Sequence, residues 1–440
     1  MTAPSPLEGD YFRLRAEWLR FKNHVFDANT ELPTLAAVLD DVRRLMEERG
    51  TVGIVYLDVG GDGLTEPLHG WQDYDELLRN FARALVSLRG EAMLGPRDIV
   101  AVMGVRSDKF LLFIRGHESQ PFEPASLDAR AARIRERLEQ VVPAQVHEGV
   151  RAPLTFHEGH ALMYRDPMLR AERSIHRALD EAMFMSLRQR TRDEDRRTLV
   201  LDEIIAGDQI ITLFQPIVDL RTREVLGHEV FSRGPAGGPF EEAERLFALA
   251  ERTGRLIDLE RICRRRALAS ATRHLKPGTK LFLNTSAGAL RDDEVGGAGF
   301  VRQVEAHGLR NDEVVLEITE RLAPEERQPY QQILRDLKRQ GFGVAIDDMG
   351  AGYASLQALV EVEPDYLKFD ISLVRNIDRS PIKRSLLETL VDLSQKIGAK
   401  VIAEGIEAET ELLALLDLGV VLGQGRFFTA PELVPAEAIS

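Results

Sequence analysis

The chain has 440 residues, which is too long for one ordinary hydrophobic core, so two domains are expected. Hydrophobic residues make up 44% of it and charged residues 29%, as in an ordinary globular protein, and the formal net charge is −14. This charge argues against nonspecific binding to duplex DNA or anionic lipid, although a local cation can still admit a small phosphorylated ligand. The single cysteine, Cys263, excludes an intramolecular disulfide and a multi-cysteine zinc site.

The first residues, "MTAPSPLEGDYFRLR", lack the apolar segment of a signal peptide. No stretch reaches the roughly 18 uninterrupted apolar residues of a membrane span. We therefore expect a cytoplasmic protein without a membrane span. Tyr11, Leu14, Trp18 and Phe21 recur with helical periodicity, which predicts an N-terminal helix over residues 1–24 that could pair with a second copy.

The charged segment from Met185 to Ile205, "MSLRQRTRDEDRRTLVLDEII", marks a domain boundary. It is too polar for a core, but its arginines and acids suit an exposed helix. Two interpretations stay open: a solvated connecting helix, and a lever that passes strain between domains. We assign residues 25–190 to an N-terminal domain and residues 191–440 to a C-terminal domain.

Downstream of this boundary, short apolar runs alternate with longer amphipathic segments. The runs are "TLFQPIVDL", "EVLGHEVFSR", "KLFLNTS", "EVVLEITE", "FGVAIDDM", "PDYLKFD", "AKVIAEGIE" and "VVLGQGRFF". Each resembles a strand buried on both faces, and Gly341 and Gly398 are natural ends for two of the intervening helices. Eight such strands predict a closed parallel α/β barrel. Because only "DLRTRE" separates the first two runs, these two should pair as an antiparallel hairpin.

Polar side chains end most of these runs. In chain order they are Glu229, Asn284, Glu317, Asp347 with Asp348, Lys368, Glu404 and Gln424. The C-terminal ends of parallel barrel strands share one rim, so six oxygen ligands, five of them carboxylates, should converge there beside one lysine. A single acid at a strand end is usually a solvated loop residue, but a set of this size indicates a metal site. Oxygen ligands without cysteine or histidine favour Mg²⁺ or Mn²⁺.

The adjacent aspartates raise each other's proton affinity unless positive charge lies between them. Asp347 is the natural ligand to bridge two divalent ions. Three roles stay open for Lys368 among these acids: a plain salt bridge, activation of a water molecule, and balance of the negative charge. Two bridged ions suit in-line attack on a phosphodiester, because one helps to form hydroxide and both stabilise charge on phosphorus.

The motif "HEVFSR" and the segments "FQPIVDL", "LNTS", "LEITE", "AIDDMGAGYASL", "DYLKFD", "AEGIE" and "GQG" resemble the EAL domain family of cyclic dimeric GMP phosphodiesterases. The resemblance extends from roughly Leu201 to the last residue. It implies a TIM-like (β/α)8 barrel with an antiparallel first strand, hydrolysis of cyclic di-GMP to linear pGpG with two Mg²⁺ or Mn²⁺ ions, and a homodimer. The sequence differs from the usual family pattern at Val230, Phe231, Met349 and Arg426, and at the segment "TAP", but none of these differences removes a metal ligand.

The same resemblance implies roles for individual residues. The first metal would be bound by Glu229, Asn284, Glu317 and Asp347, and the second by Asp347, Asp348 and Glu404. Lys368 would contact the attacking water, and Glu407 and Gln424 would order the site. The substrate would be bound by Gln215, Arg233 and Asp370, and Glu320 would anchor the glycine-containing loop after Asp348.

The segment from Phe21 to about Met185 resembles the GGDEF domain, the diguanylate cyclase fold that often precedes EAL domains. The resemblance rests on "FDANTELPTLAAVL", on "GIVYLDVGG" with Asp58 at the metal-binding aspartate, and on "RSDKFLLFI" at the signature hairpin. It implies an α+β domain.

Several substitutions imply that this domain is a degenerate member without cyclase activity. Arg106 and Ser107 stand where two glycines allow close approach to GTP, Lys109 replaces a metal-binding glutamate, and Gly60 replaces another acid. Two interpretations stay open: the domain binds a nucleotide or protein partner and regulates its neighbour, or it is a dimerisation or scaffold module.

Three functions fit the C-terminal half: a phosphodiesterase, a catalytically weak or inactive receptor for the same dinucleotide, and a pure interaction protein. The retained acids argue against the third, because clustered unpaired carboxylates destabilise a fold. The presence of Glu229, Lys368 and Glu320 favours the enzyme over the receptor.

Overall fold

The computed structural model describes residues 18, 22, 25–60, 71–91, 93–116, 122–142, 155–286, 288–319, 327–349 and 362–433. The chain forms two compact units, Met1–Arg197 and Thr198–Ser440. The helix expected over residues 1–24 lies outside the described residues except for Trp18 and Lys22, which are helical. Within the described part of the chain, no helix is both long enough and apolar enough to cross a membrane.

The first unit is a four-stranded antiparallel sheet covered by helices on both faces. Its elements are α1 (Leu35–Arg49), β1 (Thr51–Asp58), α2 (Trp71–Ser87), β2 (Ile99–Val102), β3 (Lys109–Arg115), α3 (Pro124–Val141), β4 (His157–Tyr164) and α4 (Ala171–Ala206). The strand order is β2-β3-β1-β4. Ile54 and Tyr56 of β1 pack toward α1 and α4, whereas Val55 and Leu57 pack toward α2 and α3. This alternation explains why β1 is apolar along its whole length.

The backbone of α4 lies directly on the edge strand β4. A Cβ atom at Gly159 would lie 1.8 Å from the carbonyl oxygen of Ala182, so a residue with a side chain cannot occupy this position without moving the helix. Nearby, the Ser186 hydroxyl donates a hydrogen bond of 3.1 Å to the carbonyl oxygen of His157. The charged segment that begins at Met185 is therefore helical, as predicted, and its first turn is held against the sheet.

The second unit is a closed eight-stranded barrel with surrounding helices, which confirms the predicted fold class. Its strands and α-helices are β5 (Ile211–Asp219), β6 (Val225–Arg233), α5 (Ala243–Arg252), α6 (Leu256–His274), β7 (Lys280–Thr285), α7 (Ala298–Ala306), β8 (Val314–Thr319), α8 (Arg327–Arg339), β9 (Gly343–Met349), β10 (Tyr366–Phe369), α9 (Ile371–Val374), α10 (Pro381–Ile397), β11 (Lys400–Ala403), α11 (Glu409–Asp417) and β12 (Leu422–Gly423). Gly398 caps α10 in the left-handed conformation (φ 80°), as its position in the sequence predicts.

The predicted hairpin at the start of the barrel is confirmed. Strand β5 pairs antiparallel with β6 and also with β12, whereas the other neighbouring strands of the barrel are parallel. Since β5 runs in the opposite direction, its first residues lie at the rim where the other strands end. Gln215 of β5 is therefore opposite Glu229 of β6.

One layer of apolar side chains fills the barrel. It consists of Ile217, Phe282, Val315, Ala345, Tyr366, Ile402 and Leu422, one from each strand except β6. In β6 the equivalent position is Gly227, where a Cβ atom would lie 2.9 Å from the Phe282 ring. Side chains two positions apart on a strand face the same side. The next inward positions toward the rim are therefore Gln215, Glu229, Asn284, Glu317, Asp347, Lys368, Glu404 and Gln424.

We predict that Gly159→Ala destabilises the first unit, because the new methyl group would overlap the backbone of α4. Overpacking of this kind costs about 1–3 kcal/mol or more. Thermal unfolding of the full chain, followed by circular dichroism, should show a lower melting temperature. Gly104→Ala is the matched control, since a Cβ atom there meets nothing within 4 Å. Equal melting temperatures for the two variants would contradict the close approach of α4.

Candidate active site

Lys368 lies at the centre of the polar layer and is completely buried. Its Nζ atom is 2.7 Å from Glu404 Oε1, 2.9 Å from both Glu229 Oε2 and Glu317 Oε1, and 3.2 Å from Asp347 Oδ1. Glu229, Glu317 and Asp347 belong to β6, β8 and β9, and Glu404 directly follows β11, so closure of the barrel brings together residues that are far apart in the chain. One ammonium group thus touches four carboxylates.

Two side-chain amides orient the carboxylates around this lysine. Gln424 Nε2 donates hydrogen bonds to Glu229 Oε2 (2.5 Å) and Glu404 Oε1 (3.1 Å). Asn284 Nδ2 donates a hydrogen bond of 3.2 Å to Glu229 Oε1. Both oxygens of Glu229 are therefore held, which fixes the plane of its carboxylate.

The same surroundings shift the pKa values of the acids in the cluster in different directions. Burial favours the neutral form of Glu229, but Lys368 and the hydrogen bonds from Gln424 and Asn284 outweigh it and lower the pKa of Glu229. Burial and the charge of Glu229 raise the pKa of Glu317 well above its usual range. Burial likewise raises the pKa of Glu404 to about 8. For Glu317 and Glu404, the charge of Lys368 thus does not offset burial, so the cluster favours the uptake of protons or cations.

A β-bulge explains how Asp347 and Asp348 stand side by side at the rim. Leu367 pairs with Ile346 and Phe369 pairs with Met349, so both aspartates lie opposite the single residue Lys368. Asp348 adopts the left-handed conformation (φ 59°), which aspartate tolerates better than most residues with a side chain. The bulge therefore leaves Asp348 as an extra residue beside Asp347, and the charge of Asp348 contributes to the raised pKa of Asp347.

The donor set fits a divalent cation. Oxygen atoms of Glu229, Glu317 and Asp347 lie within 4.8 Å of one another. Glu317 Oε2 is buried and has no hydrogen-bond partner among the described residues. Such an oxygen is costly to bury unless a cation or proton satisfies it. Carboxylate and amide oxygens match the preference of Mg²⁺ and Mn²⁺.

Of the predicted substrate-binding residues, Gln215 lies opposite Glu229, whereas Arg233 lies four residues farther along β6. The side chain of Gln215 is buried, and its Nε2 donates a hydrogen bond of 3.0 Å to the carbonyl oxygen of Thr429. Arg233 is the exposed last residue of β6, the strand that also carries Glu229. A guanidinium at the open end of this strand can reach a ligand that enters from solvent.

Other predicted residues make contacts of their own. Asp370 is half-buried and accepts a hydrogen bond of 2.8 Å from the backbone amide of Ser372, so it caps α9. Glu407 is exposed and pairs with Arg375, with 2.7 Å between Oε2 and Nη2. The structure thus does not bring Glu407 into contact with the lysine. Glu320 and the loop of residues 350–361 lie outside the described residues.

Sequence reasoning missed two buried charges behind the rim. Glu260 and Arg264 lie on α6, and only 5% and 4% of their surfaces are exposed. They fall on the face of α6 that also carries Leu259, Cys263 and Ala267. The signal was present in the sequence, because both charges interrupt the apolar stripe of a helix at an (i, i+4) spacing.

Comparison with known proteins agrees with this geometry. The EAL domain family matches residues 199–431. The probable cyclic di-GMP phosphodiesterase PdeG of Escherichia coli is 29% identical over 53% of this chain and 46% of its own length. The bifunctional diguanylate cyclase/cyclic di-GMP phosphodiesterase MucR of Pseudomonas aeruginosa is 24% identical over 94% of this chain and 61% of its own length. The chain thus spans less than two thirds of either relative.

A solved structure shares the fold. The EAL domain of FimX from Xanthomonas citri, crystallised in complex with c-diGMP, is 19% identical and has a TM-score of 0.52. The likeness covers 57% of this chain and 100% of that domain, and it concerns the fold alone. The family match covers more than half of the 440 residues, including the whole carboxylate cluster, and the chain therefore belongs to the EAL domain family.

Proposed function

We propose that this chain is a cyclic di-GMP phosphodiesterase that opens its substrate to linear pGpG with two Mg²⁺ or Mn²⁺ ions. The observation that carries the proposal is the convergence of four carboxylates on the buried Lys368 at the rim of the barrel. A scaffold or interaction protein has no need of this arrangement, because it concentrates negative charge in a buried place. The relatives named as cyclic di-GMP phosphodiesterases supply the substrate class.

In this proposal the polar layer divides into two metal sites. Glu229, Asn284, Glu317 and Asp347 hold the first ion, and Asp347, Asp348 and Glu404 hold the second. Bound there, the ions supply Lewis acidity to form hydroxide and to stabilise the charge that develops on phosphorus. The need of the cluster for positive charge and the unpartnered Glu317 Oε2 support this assignment.

The remaining residues bind substrate and water. Lys368 keeps the carboxylates in place and contacts the attacking water, while Gln424 orders the carboxylates. The role of Glu407 in ordering the site stays a prediction from the sequence, because its contact in the structure is with Arg375. The guanidinium of Arg233, with Gln215 and Asp370, binds the dinucleotide, because a planar fork of N–H groups suits a phosphate. Water then adds to one phosphorus, its P–O bond to the ribose 3′ oxygen breaks, and that oxygen takes up a proton.

We also propose that residues 25–190 form a degenerate GGDEF-like domain and residues 191–440 the EAL domain. MucR, whose name includes a diguanylate cyclase, matches 94% of this chain and so includes the first unit. Arg106 adopts φ 56°, the left-handed conformation that glycine reaches most easily. Asp108 accepts hydrogen bonds from Lys109 (2.8 Å) and Tyr74 (3.2 Å), and this local pairing favours a regulatory or scaffold role over cyclase chemistry.

The homodimer, the cytoplasmic location, the loop-anchoring role of Glu320 and a nucleotide or protein partner of the first unit stay predictions from the sequence.

Glu229→Gln should abolish hydrolysis while the fold survives. The substitution keeps the shape of the side chain but removes a charge that Lys368, Gln424 and Asn284 all contact. Loss of such a ligand is expected to lower turnover by at least about a hundredfold. The measurement is chromatographic separation of pGpG from cyclic di-GMP after incubation with Mg²⁺ or Mn²⁺.

Glu224→Gln is the matched control, since Glu224 is exposed and lies in the turn before the same strand. It should hydrolyse cyclic di-GMP at the wild-type rate. A wild-type protein that binds cyclic di-GMP but yields no pGpG with either metal would contradict the enzyme and establish the receptor.

Mn²⁺ should raise the melting temperature of the wild-type protein, because it neutralises the repulsion within the cluster. At a free concentration a hundred times Kd, binding adds about 2.7 kcal/mol to the free energy of unfolding. Asp347→Asn should lose most of this gain, whereas Glu224→Gln should keep it. Differential scanning calorimetry with and without Mn²⁺ tests this, and equal shifts in both variants would place the ions elsewhere.

A further inference from the structure

Two buried charges of α6 lie behind the end of β7, where Asn284 stands. Glu260 and Arg264 are separated by one helical turn and are almost completely buried. Neither belongs to the polar layer of the barrel. They reach the rim from the outer side, through the backbone of residues 284–286.

Each charge binds part of this short segment. Arg264 Nη2 donates a hydrogen bond of 2.8 Å to Thr285 Oγ1 and approaches the carbonyl oxygen of Asn284 at 3.5 Å. Glu260 accepts from the backbone amide of Ser286, which lies 3.2 Å from Oε1 and 3.4 Å from Oε2. Three consecutive residues at the end of β7 are thus held from one helix.

The ring of Phe300 completes the binding of the arginine. The guanidinium carbon of Arg264 lies 4.7 Å from the ring centroid, so the ring face is available for a cation–π contact. Thr285 Oγ1, which accepts from Arg264, also donates a hydrogen bond of 3.1 Å to the carbonyl oxygen of Leu283. The guanidinium is therefore contacted on one face by the Phe300 ring and at one edge by the Thr285 hydroxyl.

Stability alone does not account for this arrangement. Nε and Nη1 of Arg264 are buried without a hydrogen-bond partner among the described residues. A buried N–H group without a hydrogen-bond partner lowers the stability of the fold. Apolar residues in place of buried charges often give a fold that is equally stable. A role in positioning the segment that carries Asn284 explains why a guanidinium group is buried at this place on α6.

Asn284 depends on such placement because it is exposed at the mouth of the barrel. Its Nδ2 is used by Glu229, which leaves the amide oxygen as its ligand atom. The apolar contacts that fix buried residues do not fix an exposed amide. Pairing with β8 and the contacts from α6 together hold the backbone of residues 284–286, and with it the position of this amide.

We propose that Arg264 and Glu260 are positioning residues that hold the end of β7 so that the amide oxygen of Asn284 binds a divalent cation. The inference rests on the proposed function, because it assigns Asn284 to a metal. Outer contacts of metal ligands typically contribute 10–100-fold in affinity or activity. The two residues act through Asn284 and touch neither metal nor substrate.

The test measures the affinity of the full-length chain for Mn²⁺ by isothermal titration calorimetry. Arg264→Lys keeps the buried charge but loses the planar fork that reaches Thr285. We expect it to bind Mn²⁺ at least about tenfold more weakly than the wild type. Arg261→Lys is the matched control on the same helix, since Arg261 pairs with Asp292 at 2.5 Å and contacts no residue of the cluster. It should leave Mn²⁺ affinity unchanged.

A double-mutant cycle with Asn284→Ala separates positioning from a general loss of structure. Asn284→Ala by itself should weaken Mn²⁺ binding, and Arg264→Lys should add nothing further in that background. Additive losses would mean that Arg264 does not act through Asn284, and they would overturn the inference. Circular dichroism of each variant reports the folded fraction.

Thr285→Val gives a second route if Arg264→Lys fails to fold. It removes the hydroxyl that Arg264 binds while both buried charges stay. We expect the same weakening of Mn²⁺ binding. Wild-type affinity in Thr285→Val or in folded Arg264→Lys would overturn this inference alone, whereas a wild-type chain that binds no Mn²⁺ would overturn the proposed function as well.

Discussion

The buried ammonium of Lys368 determines how the rim of the barrel is built. Moving a charge from water into a protein interior costs several kcal/mol, and attraction to partners of opposite charge offsets this cost only when the geometry is good. Here four carboxylates, three from strands and one directly after a strand, lie within 2.7–3.2 Å of one nitrogen atom. The strands can supply those distances only in the closed barrel, so the electrostatics of the site and the closure of the fold depend on each other.

The excess of negative charge links this arrangement to chemistry. Lys368 neutralises only part of the charge on its neighbours, and burial raises the pKa values of Glu317, Asp347 and Glu404. Such a cluster favours the uptake of protons or cations. In the proposed hydrolysis, the fixed carboxylates would serve as preorganised ligands, because little has to move when the substrate binds.

Support for the rim extends outward in layers. The amides of Gln424 and Asn284 fix the carboxylate of Glu229, and the buried charges on α6 hold the backbone that carries Asn284. The bulge in β9 also carries a local cost, because Asp348 adopts the left-handed conformation beside Asp347. In each case an unfavourable backbone conformation or a buried charge accompanies the placement of the oxygen atoms at the rim.

The barrel, the hairpin that opens it and most of the residues at its rim could be predicted from the sequence. Unbroken apolar runs require strands buried on both faces, the short link before Val225 forbids a parallel crossover, and polar residues at strand ends must meet at one edge. Three contacts became visible only in the folded chain. Lys368 lies between four carboxylates, Glu407 pairs with Arg375, and α6 contacts the backbone of Asn284. The periodicity of apolar residues indicates which face of a helix or strand a residue occupies. The distances between side chains on different strands depend on strand register, stagger and bulges. Those quantities arise from packing across the whole barrel, and no local stretch of sequence contains them.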